Sequence, residues 1–321
     1  MVSLMISYLA SLTERMLPGL LRVTPQRREE LRAYFLAALD QDGGFRGREV
    51  HGQKGRGDLY YSGFALRALF LLGLLDDKNI LPHIVRFLDE QGHRNDLTPV
   101  EMLSWMFCAT LVHAVQEDTV QGDTLHGGGL LPEQTARFLH RWEDFRREDG
   151  CFAASEKSAV SSTYTTFLTA IFYELLGEPE RTLSIPVEPI LERCRPDGGF
   201  VELPPLKHSG VNPTAAAVGL LTLREVPLPE REQTVGFLCR CQHPVGGFRA
   251  HARIPLPDLL SSFSAVTALM DMDAADHVNR SALRNFVTGL RSPDGGYFGM
   301  LPDQQSDVEY TFYGMALEAM L

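Results

Sequence analysis

The chain has 321 residues, of which 44% are hydrophobic and 22% are charged, a composition typical of a globular protein and unlike a disordered or fibrous one. Its 30 Lys and Arg residues against 41 Asp and Glu residues give a net charge of −11, which argues against a general nucleic-acid or anionic-membrane binder. Five cysteines, an odd and sparse set, favour reduced thiols and a cytoplasmic location over a disulfide framework.

Residues 1–23 are predicted to form an amphipathic accessory helix, because Glu14 and Arg15 interrupt an otherwise apolar start. The longest apolar runs, such as Ala68 to Leu75, fall short of the ~20 residues that span a bilayer. No transmembrane helix is therefore expected.

A glycine-rich phrase recurs along the rest of the chain. It is QDGGF at Gln41–Phe45, EDGCF at Glu148–Phe152, PDGGF at Pro196–Phe200, PVGGF at Pro244–Phe248 and PDGGY at Pro293–Tyr297. Its second-glycine slot falls at 44, 151, 199, 247 and 296, so the last three steps are 48, 48 and 49 residues. The first step, 107 residues, fits two units with a degenerate copy near Gln91 and Gly92. Such a period indicates one supersecondary unit copied along the chain, here six times.

Each unit places a charged helix before the Gly-Gly turn and an apolar helix after it. The apolar helices contain Tyr60, Glu101, Thr163, Pro213, Ser261 and Tyr310 near their starts. A helix that is apolar around most of its circumference is buried on most sides. An open stack would need polar terminal repeats, yet the last apolar helix runs to Leu321. We therefore predict an all-α fold, an α/α toroid of six helical hairpins that comprises residues 1–321 as one domain.

Aspartates recur at one register before the apolar helices, at Asp58, Asp258 and Asp307. This position predicts helix N-caps, whose carboxylates accept backbone N–H bonds.

The G-G-F phrase, a loop, and a helix of the form D-x-x-[YS]-[ST]-x-x-[AG]-x-x-A-L together resemble the repeat of protein prenyltransferase β subunits and of squalene and oxidosqualene cyclases. The resemblance extends from about Asp40 to the end of the chain. It implies an α-α barrel whose apolar lumen holds an isoprenoid or isoprenoid diphosphate, and a partner chain like the prenyltransferase α subunit.

The resemblance also implies where a zinc ion would be bound. Prenyltransferases hold zinc with Asp and Cys of a D-x-C-Y-S motif and a later His. Here Asp258 matches the Asp, but Leu260 takes the Cys position and Tyr310 that of the His. A leucine supplies no ligand, so zinc is not expected as a cofactor.

Diphosphate recognition in that family uses a His before the fourth inner helix and basic residues before the fifth. His208 occupies a matching segment, and Arg249, His251 and Arg253 lie in a fifth loop that is one residue longer than the family pattern. Arginines with neighbouring imidazoles can clamp a diphosphate through charge-assisted bonds. Solvated loop residues are the alternative interpretation.

The cyclases protonate an alkene with the middle acid of D-x-D-D-T. Residues 307–311 are D-V-E-Y-T, which places Glu309 in the acid position. A buried glutamate with a raised pKa can act as a general acid. Glu309, Asp258 and Tyr310 are therefore the candidate catalytic residues, although cyclases carry a second barrel for which 321 residues leave no room.

Aromatic residues on the apolar helices are predicted to line the lumen, with ordinary core packing as the alternative. They are Tyr61, Phe64, Trp105, Tyr164, Phe167, Phe263 and Tyr313.

Three other segments have simpler interpretations. Cys239, Cys241 and His243 resemble a metal motif, but they end an outer helix where a small thiol packs well. The DMDAAD run at Asp271–Asp276 is expected to be a solvated turn. The insertion from Glu117 to Leu131, with its Gly127–Gly129 run, lacks the Lys-Ser/Thr of a phosphate loop and is expected to be a mobile rim element.

The sequence is compatible with three functional hypotheses: isoprenoid binding with chemistry other than zinc-thiolate alkylation, a non-catalytic interaction module with a filled lumen, and acid-initiated cyclisation by Glu309.

Overall fold

The computed structural model of the chain describes residues 8–49, 55–75, 79–119 and 131–321. These residues form fourteen α-helices and, in place of strands, isolated bridges between turns. The insertion predicted to be a rim element falls largely on residues 120–130, outside the described residues.

Six helices form an inner ring. They are α3 (Leu59–Leu71), α5 (Pro99–Thr119), α7 (Thr163–Leu175), α10 (Val211–Leu223), α12 (Leu259–Asp271) and α14 (Val308–Met320). Each inner helix packs against the next, and α14 packs against α3. The ring is therefore closed, and the predicted α/α toroid is confirmed.

The outer helices precede the inner ones in the chain and carry most of the exposed charge. They are α2 (Pro25–Ala38), α4 (Leu81–Gly92), α6 (Leu131–Trp142), the short pair α8 (Pro179–Ser184) and α9 (Glu188–Leu191), α11 (Arg231–Cys241) and α13 (Arg280–Gly289). The fourth outer element was expected to be one helix. It is broken in two because Pro186 lies between its halves, where proline cannot supply the backbone donor that a continuous helix needs, and Pro189 lies in the first turn of the second half.

In five of the six hairpins, the Gly-Gly phrase forms a tight turn that joins the outer helix to its inner partner. Its first glycine has a positive φ, for example 97° at Gly43, where a Cβ would also collide with the carbonyl oxygen of His83. The aromatic residue that follows is buried, and its backbone N–H donates to a hydroxyl one turn into the inner helix. This bond joins Phe248 to Ser262 at 2.8 Å. The same hydroxyl donates to the carbonyl of Asp258 at 2.6 Å, so a single oxygen connects the turn to the helix start.

The predicted aspartate caps are confirmed. Asp58, Asp258 and Asp307 each have extended backbone angles and accept the backbone N–H of the residue three positions later. These three inner helices, α3, α12 and α14, therefore begin at equivalent positions in their repeats.

Helix α1 (Tyr8–Leu20) lies against the C-terminal ends of the inner helices. The Glu174 carboxylate, at the end of α7, accepts the backbone N–H groups of Tyr8 at 3.0 Å and Leu9 at 3.1 Å. These are first-turn donors that have no partner within their own helix. Glu174 thus fixes the start of α1.

The interpretation of the DMDAAD run as a solvated turn was wrong for Asp271. Its carboxylate is fully buried, accepts the Tyr8 hydroxyl at 3.0 Å and pairs with Arg15 at 2.6 Å. A buried carboxylate is stable only with such partners. Asp271 therefore anchors α1 to the end of α12.

No helix within the described ranges is both long and apolar enough to cross a membrane.

Replacing Ser262 with alanine is expected to lower the free energy of unfolding by about 1–3 kcal/mol, because the buried Phe248 N–H loses its acceptor. Urea denaturation of the wild type and Ser262→Ala measures the difference. Ser281→Ala, on the exposed face of α13, is the matched control and is expected to change stability little. Equal small effects from both substitutions would contradict the role given to the hydroxyl.

Candidate functional site

The inner ring encloses a cavity of about 510 Å³. All six inner helices contribute to its wall, and Tyr8, Leu9 and Leu12 of α1 form its floor. The cavity therefore opens at the end of the ring where the inner helices begin.

The residues of the wall form three layers. Each layer is defined by how many positions its residues lie after the residue that precedes their inner helix. The outer layer, two positions on, is Tyr60, Val100, Tyr164, Asn212, Leu260 and Glu309. The middle layer, five or six positions on, is Phe64, Leu103, Ser104, Phe167, Leu168, Ala215, Ala216, Phe263, Ser264, Phe312 and Tyr313. The deep layer, nine positions on, is Arg67, Phe107, Ile171 and Thr267.

The outer layer contains a hydrogen-bonded acid. The Tyr60 hydroxyl donates to Oε1 of Glu309 at 2.7 Å, where both side chains line the cavity. Burial raises the pKa of Glu309 above its ordinary value, and the Tyr60 bond only partly offsets this. A carboxyl in this environment retains its proton to a higher pH than a solvated glutamate does.

A second carboxyl, Glu202, reaches the cavity from the loop before α10 and was missed in the sequence. It accepts a hydrogen bond from Ser162, the cap of α7, and burial raises its pKa. Only its position two residues after the aromatic of a repeat phrase could have drawn attention to it.

The deep layer contains one charged side chain, Arg67, also missed in the sequence. Its guanidinium carbon lies 4.5 Å from the ring centre of Phe64, 4.6 Å from that of Phe107 and 4.9 Å from that of Phe312. In the sequence, this position is marked by a single arginine within the apolar run of α3.

Five of the seven aromatic residues predicted to line the lumen do so: Phe64, Tyr164, Phe167, Phe263 and Tyr313.

The prediction was wrong for Trp105 and Tyr61. Trp105 is fully buried on the outer side of α5, where its indole N–H donates to the Leu88 carbonyl at 2.7 Å and its ring packs edge-on against Phe138. Tyr61 follows Tyr60 by one residue, so its ring turns away from the cavity toward Gly47. Residues adjacent on a helix point about 100° apart.

The three positions that match the zinc site each have other contacts. The Asp258 carboxylate caps α12 through the N–H and the hydroxyl of Ser261, at 2.7 and 2.8 Å. Leu260 lines the cavity, and the ring centre of Tyr310 lies 5.2 Å from the guanidinium carbon of Arg48. At these positions Leu260 has no metal-binding atom, and Tyr310 carries a phenol where the family has an imidazole.

The basic residues predicted to bind a diphosphate lie outside the cavity. His208 and Arg253 are exposed and meet at 2.9 Å between Nε2 and Nη1. The Arg249 guanidinium instead donates to the carbonyls of Arg240, Cys241 and Ala252. His251 accepts the backbone N–H of Arg253 at 3.2 Å through Nδ1.

The Cys239–His243 segment has the geometry of helix-end packing. Cys241 is buried, which raises the pKa of its thiol to about 11. Within the described residues, no three His, Cys, Asp or Glu side chains are grouped to hold a metal ion.

Two relatives share part of their sequence with this chain. The β subunit of protein farnesyltransferase from Pisum sativum is 30% identical over 93 residues, which cover 28% of this chain and 22% of that protein. The β subunit of type-2 geranylgeranyl transferase from Saccharomyces cerevisiae is 26% identical over 175 residues, 53% of each chain. The matched stretches thus span a minor part of the first relative and about half of the second.

Solved structures share the fold across more of the chain. Candida albicans protein geranylgeranyltransferase-I, complexed with GGPP, has a TM-score of 0.64 at 16% identity and covers 81% of this chain and 82% of its own. The type II terpene cyclase MstE from Scytonema, as a single-residue variant with geranylgeranyl dihydroxybenzoate, has a TM-score of 0.60 at 12% identity, with 95% and 97% covered.

The size of MstE corrects one expectation. This chain covers 97% of that cyclase, so the length of 321 residues does not by itself argue against a type II terpene cyclase. A family-level match covers more of the chain than either of the two sequence relatives does. Residues 2–170 and 214–321 match the model of the prenyltransferase alpha-alpha toroid domain, and the chain belongs to that family.

Proposed function

We propose that the protein binds an isoprenoid chain in the cavity of the toroid. The observation that carries this proposal is the cavity itself: about 510 Å³, walled by six helices, closed by α1 and lined mainly by aromatic and aliphatic side chains. Its volume lies in the range of roughly 300–1,000 Å³ typical of small-molecule sites. Two structural neighbours add support, since one was solved with GGPP and the other with a geranylgeranyl compound.

An open cavity favours ligand binding over the interaction-module hypothesis, which requires a lumen filled by side chains. The middle layer keeps its centre open because Ala215 and Ala216 of α10 face the rings of other helices with small side chains. A cavity of this size lined by apolar groups gains stability when an apolar ligand fills it.

We further propose that any reaction proceeds without the usual zinc site. Of the three matching positions, Asp258 alone has a metal-binding group, and that carboxylate caps a helix. Because His208 and Arg253 lie outside the cavity, they would contact only a ligand group that extends beyond the mouth of the cavity.

Acid-initiated cyclisation by Glu309 is the second candidate, favoured by the Tyr60 hydrogen bond. A protonated Glu309 would transfer its proton to a terminal alkene, whose electron pair forms the new C–H bond and leaves a carbocation. A second alkene would attack that cation to form a C–C bond, and loss of a proton would end the reaction. Tyr60 would stabilise the carboxylate that remains, and the rings of Phe64, Phe263 and Phe312 would stabilise the passing cation.

A partner chain is a further proposal. It is supported by the names of the two sequence relatives, both of which are β subunits.

Ala215→Phe is expected to weaken binding of farnesol and geranylgeraniol at least about tenfold, because the added ring occupies the middle layer. Calorimetric titration measures both affinities. Ala136→Phe, on the exposed face of α6, should leave them unchanged. Absence of binding to the wild type at millimolar ligand would refute the proposed function.

If Glu309 is the acid, Glu309→Gln is expected to reduce turnover of geranylgeraniol to cyclic products by at least about a hundredfold. Wild-type turnover should fall as pH rises through the elevated pKa of Glu309, since the reactive form is protonated. Gas chromatography with mass spectrometry detects the products. Exposed Glu192→Gln serves as the control, and full turnover by Glu309→Gln would exclude this candidate.

The raised pKa of Glu309 predicts how the free energy of unfolding depends on pH. The folded chain holds the Glu309 proton above the ordinary pKa of 4.5, at which the unfolded chain loses it. Its contribution to the free energy of unfolding is therefore full below that value and decreases as pH rises through the elevated pKa. Urea denaturation at several pH values should show a smaller decrease for Glu309→Gln than for the wild type and Glu192→Gln.

A further inference from the structure

Arg67 is a cation placed at the closed end of an apolar cavity. Three phenyl rings surround its guanidinium at 4.5–4.9 Å, and its one polar contact within the described residues is from Nε to the Gly63 carbonyl at 2.8 Å. The two terminal nitrogens therefore have ring faces around them and the cavity in front of them.

No carboxylate among the described residues forms an ion pair with Arg67. The acids that line the cavity, Glu309 and Glu202, are hydrogen-bonded to Tyr60 and Ser162 in and above the outer layer. Arg67 lies seven helical positions below that layer, about 10 Å along the ring axis. The cavity thus has acids at its mouth and one uncompensated cation at its base.

The terminal N–H groups of Arg67 lack a hydrogen-bond acceptor among the described residues, so a bound ligand would have to supply one. Ring faces attract a cation, but they leave the terminal N–H donors of a guanidinium without the oxygen acceptors that they require. Burial disfavours the charged form, and the pKa of Arg67 is accordingly lowered. A bound anion would supply both the acceptors and the counter-charge.

We propose that Arg67 binds a carboxylate at the inner end of the ligand, so that the ligand is an isoprenoid acid held with its acid group toward α1. The inference rests on the proposed function and names the ligand class for the same cavity. A planar carboxylate matches the two-nitrogen fork of a guanidinium and carries one negative charge against one positive charge. A diphosphate would bring more negative charge than Arg67 alone balances.

This orientation places the apolar tail of the ligand toward the mouth. An alkene at that end lies in the layer of Glu309, whereas a carbocation formed beside Arg67 would be repelled by its charge. The two charged groups of the cavity would then act on opposite ends of one molecule.

The test compares farnesoic acid with farnesol, which share a carbon skeleton and differ in the end group. Calorimetry at pH 8 is expected to show that the wild type binds the acid at least about tenfold more tightly. Arg67→Met should abolish this preference while it retains farnesol binding, and Arg67→Lys should restore part of it. Arg86→Met, on the exposed side of α4, is the charge-matched control.

Equal affinities of the wild type for acid and alcohol would overturn the carboxylate site and leave isoprenoid binding intact. Binding of neither ligand would overturn both proposals.

Thermal unfolding of Arg67→Met distinguishes a role of Arg67 in ligand recognition from a role in stabilising the fold. A buried charge without a counter-charge has a large desolvation cost, which a hydrophobic side chain of similar length does not have. Arg67→Met should therefore have an unchanged or raised Tm. A clearly lowered Tm with equal loss of both ligands would show that Arg67 is structural and would overturn the inference.

Discussion

A single hydroxyl in each of five inner helices connects the Gly-Gly turn to the helix that follows it. In the fifth hairpin, the Ser262 hydroxyl accepts the N–H of Phe248 and donates to the Asp258 carbonyl, while the Asp258 N–H returns to the Phe248 carbonyl at 3.0 Å. Turn, cap and helix start are thereby fixed relative to one another. Equivalent bonds reach Ser62, Thr166, Thr214 and Thr311. The layers of the cavity exist because this arrangement sets the inner helices to one height.

Much of the toroid could be predicted because its cause is local and repeated. The positive φ of Gly43 and the cap geometry of Asp58 each depend on a few neighbouring residues, so the sequence displays them directly. To predict which aromatic residues line the cavity, their positions relative to the helix cap must be considered. Phe64 and Tyr61 lie on one helix, yet their positions relative to the cap direct only Phe64 to the cavity. Trp105 is equally aromatic and faces an outer helix.

The features that sequence patterns did not reveal depend on contacts between distant parts of the chain. Asp271 looks like a turn residue until Tyr8 and Arg15 are placed beside it by folding. Glu202 lies in an irregular loop, for which no period predicts a direction. The local sequence around Arg67 predicts only a helix, and its significance comes from the absence of a described carboxylate partner and from the rings contributed by α5 and α14.

Helix α1 makes the depth of the cavity independent of the ring. The diameter is set by six helices whose neighbours all constrain one another, whereas the floor is set by three side chains of one helix outside the repeat. Substitutions at Leu9 or Leu12 can therefore lengthen or shorten the available space without disturbing any hairpin. In this chain, the part that limits ligand length and the part that shapes the binding tube are therefore different and can be altered separately.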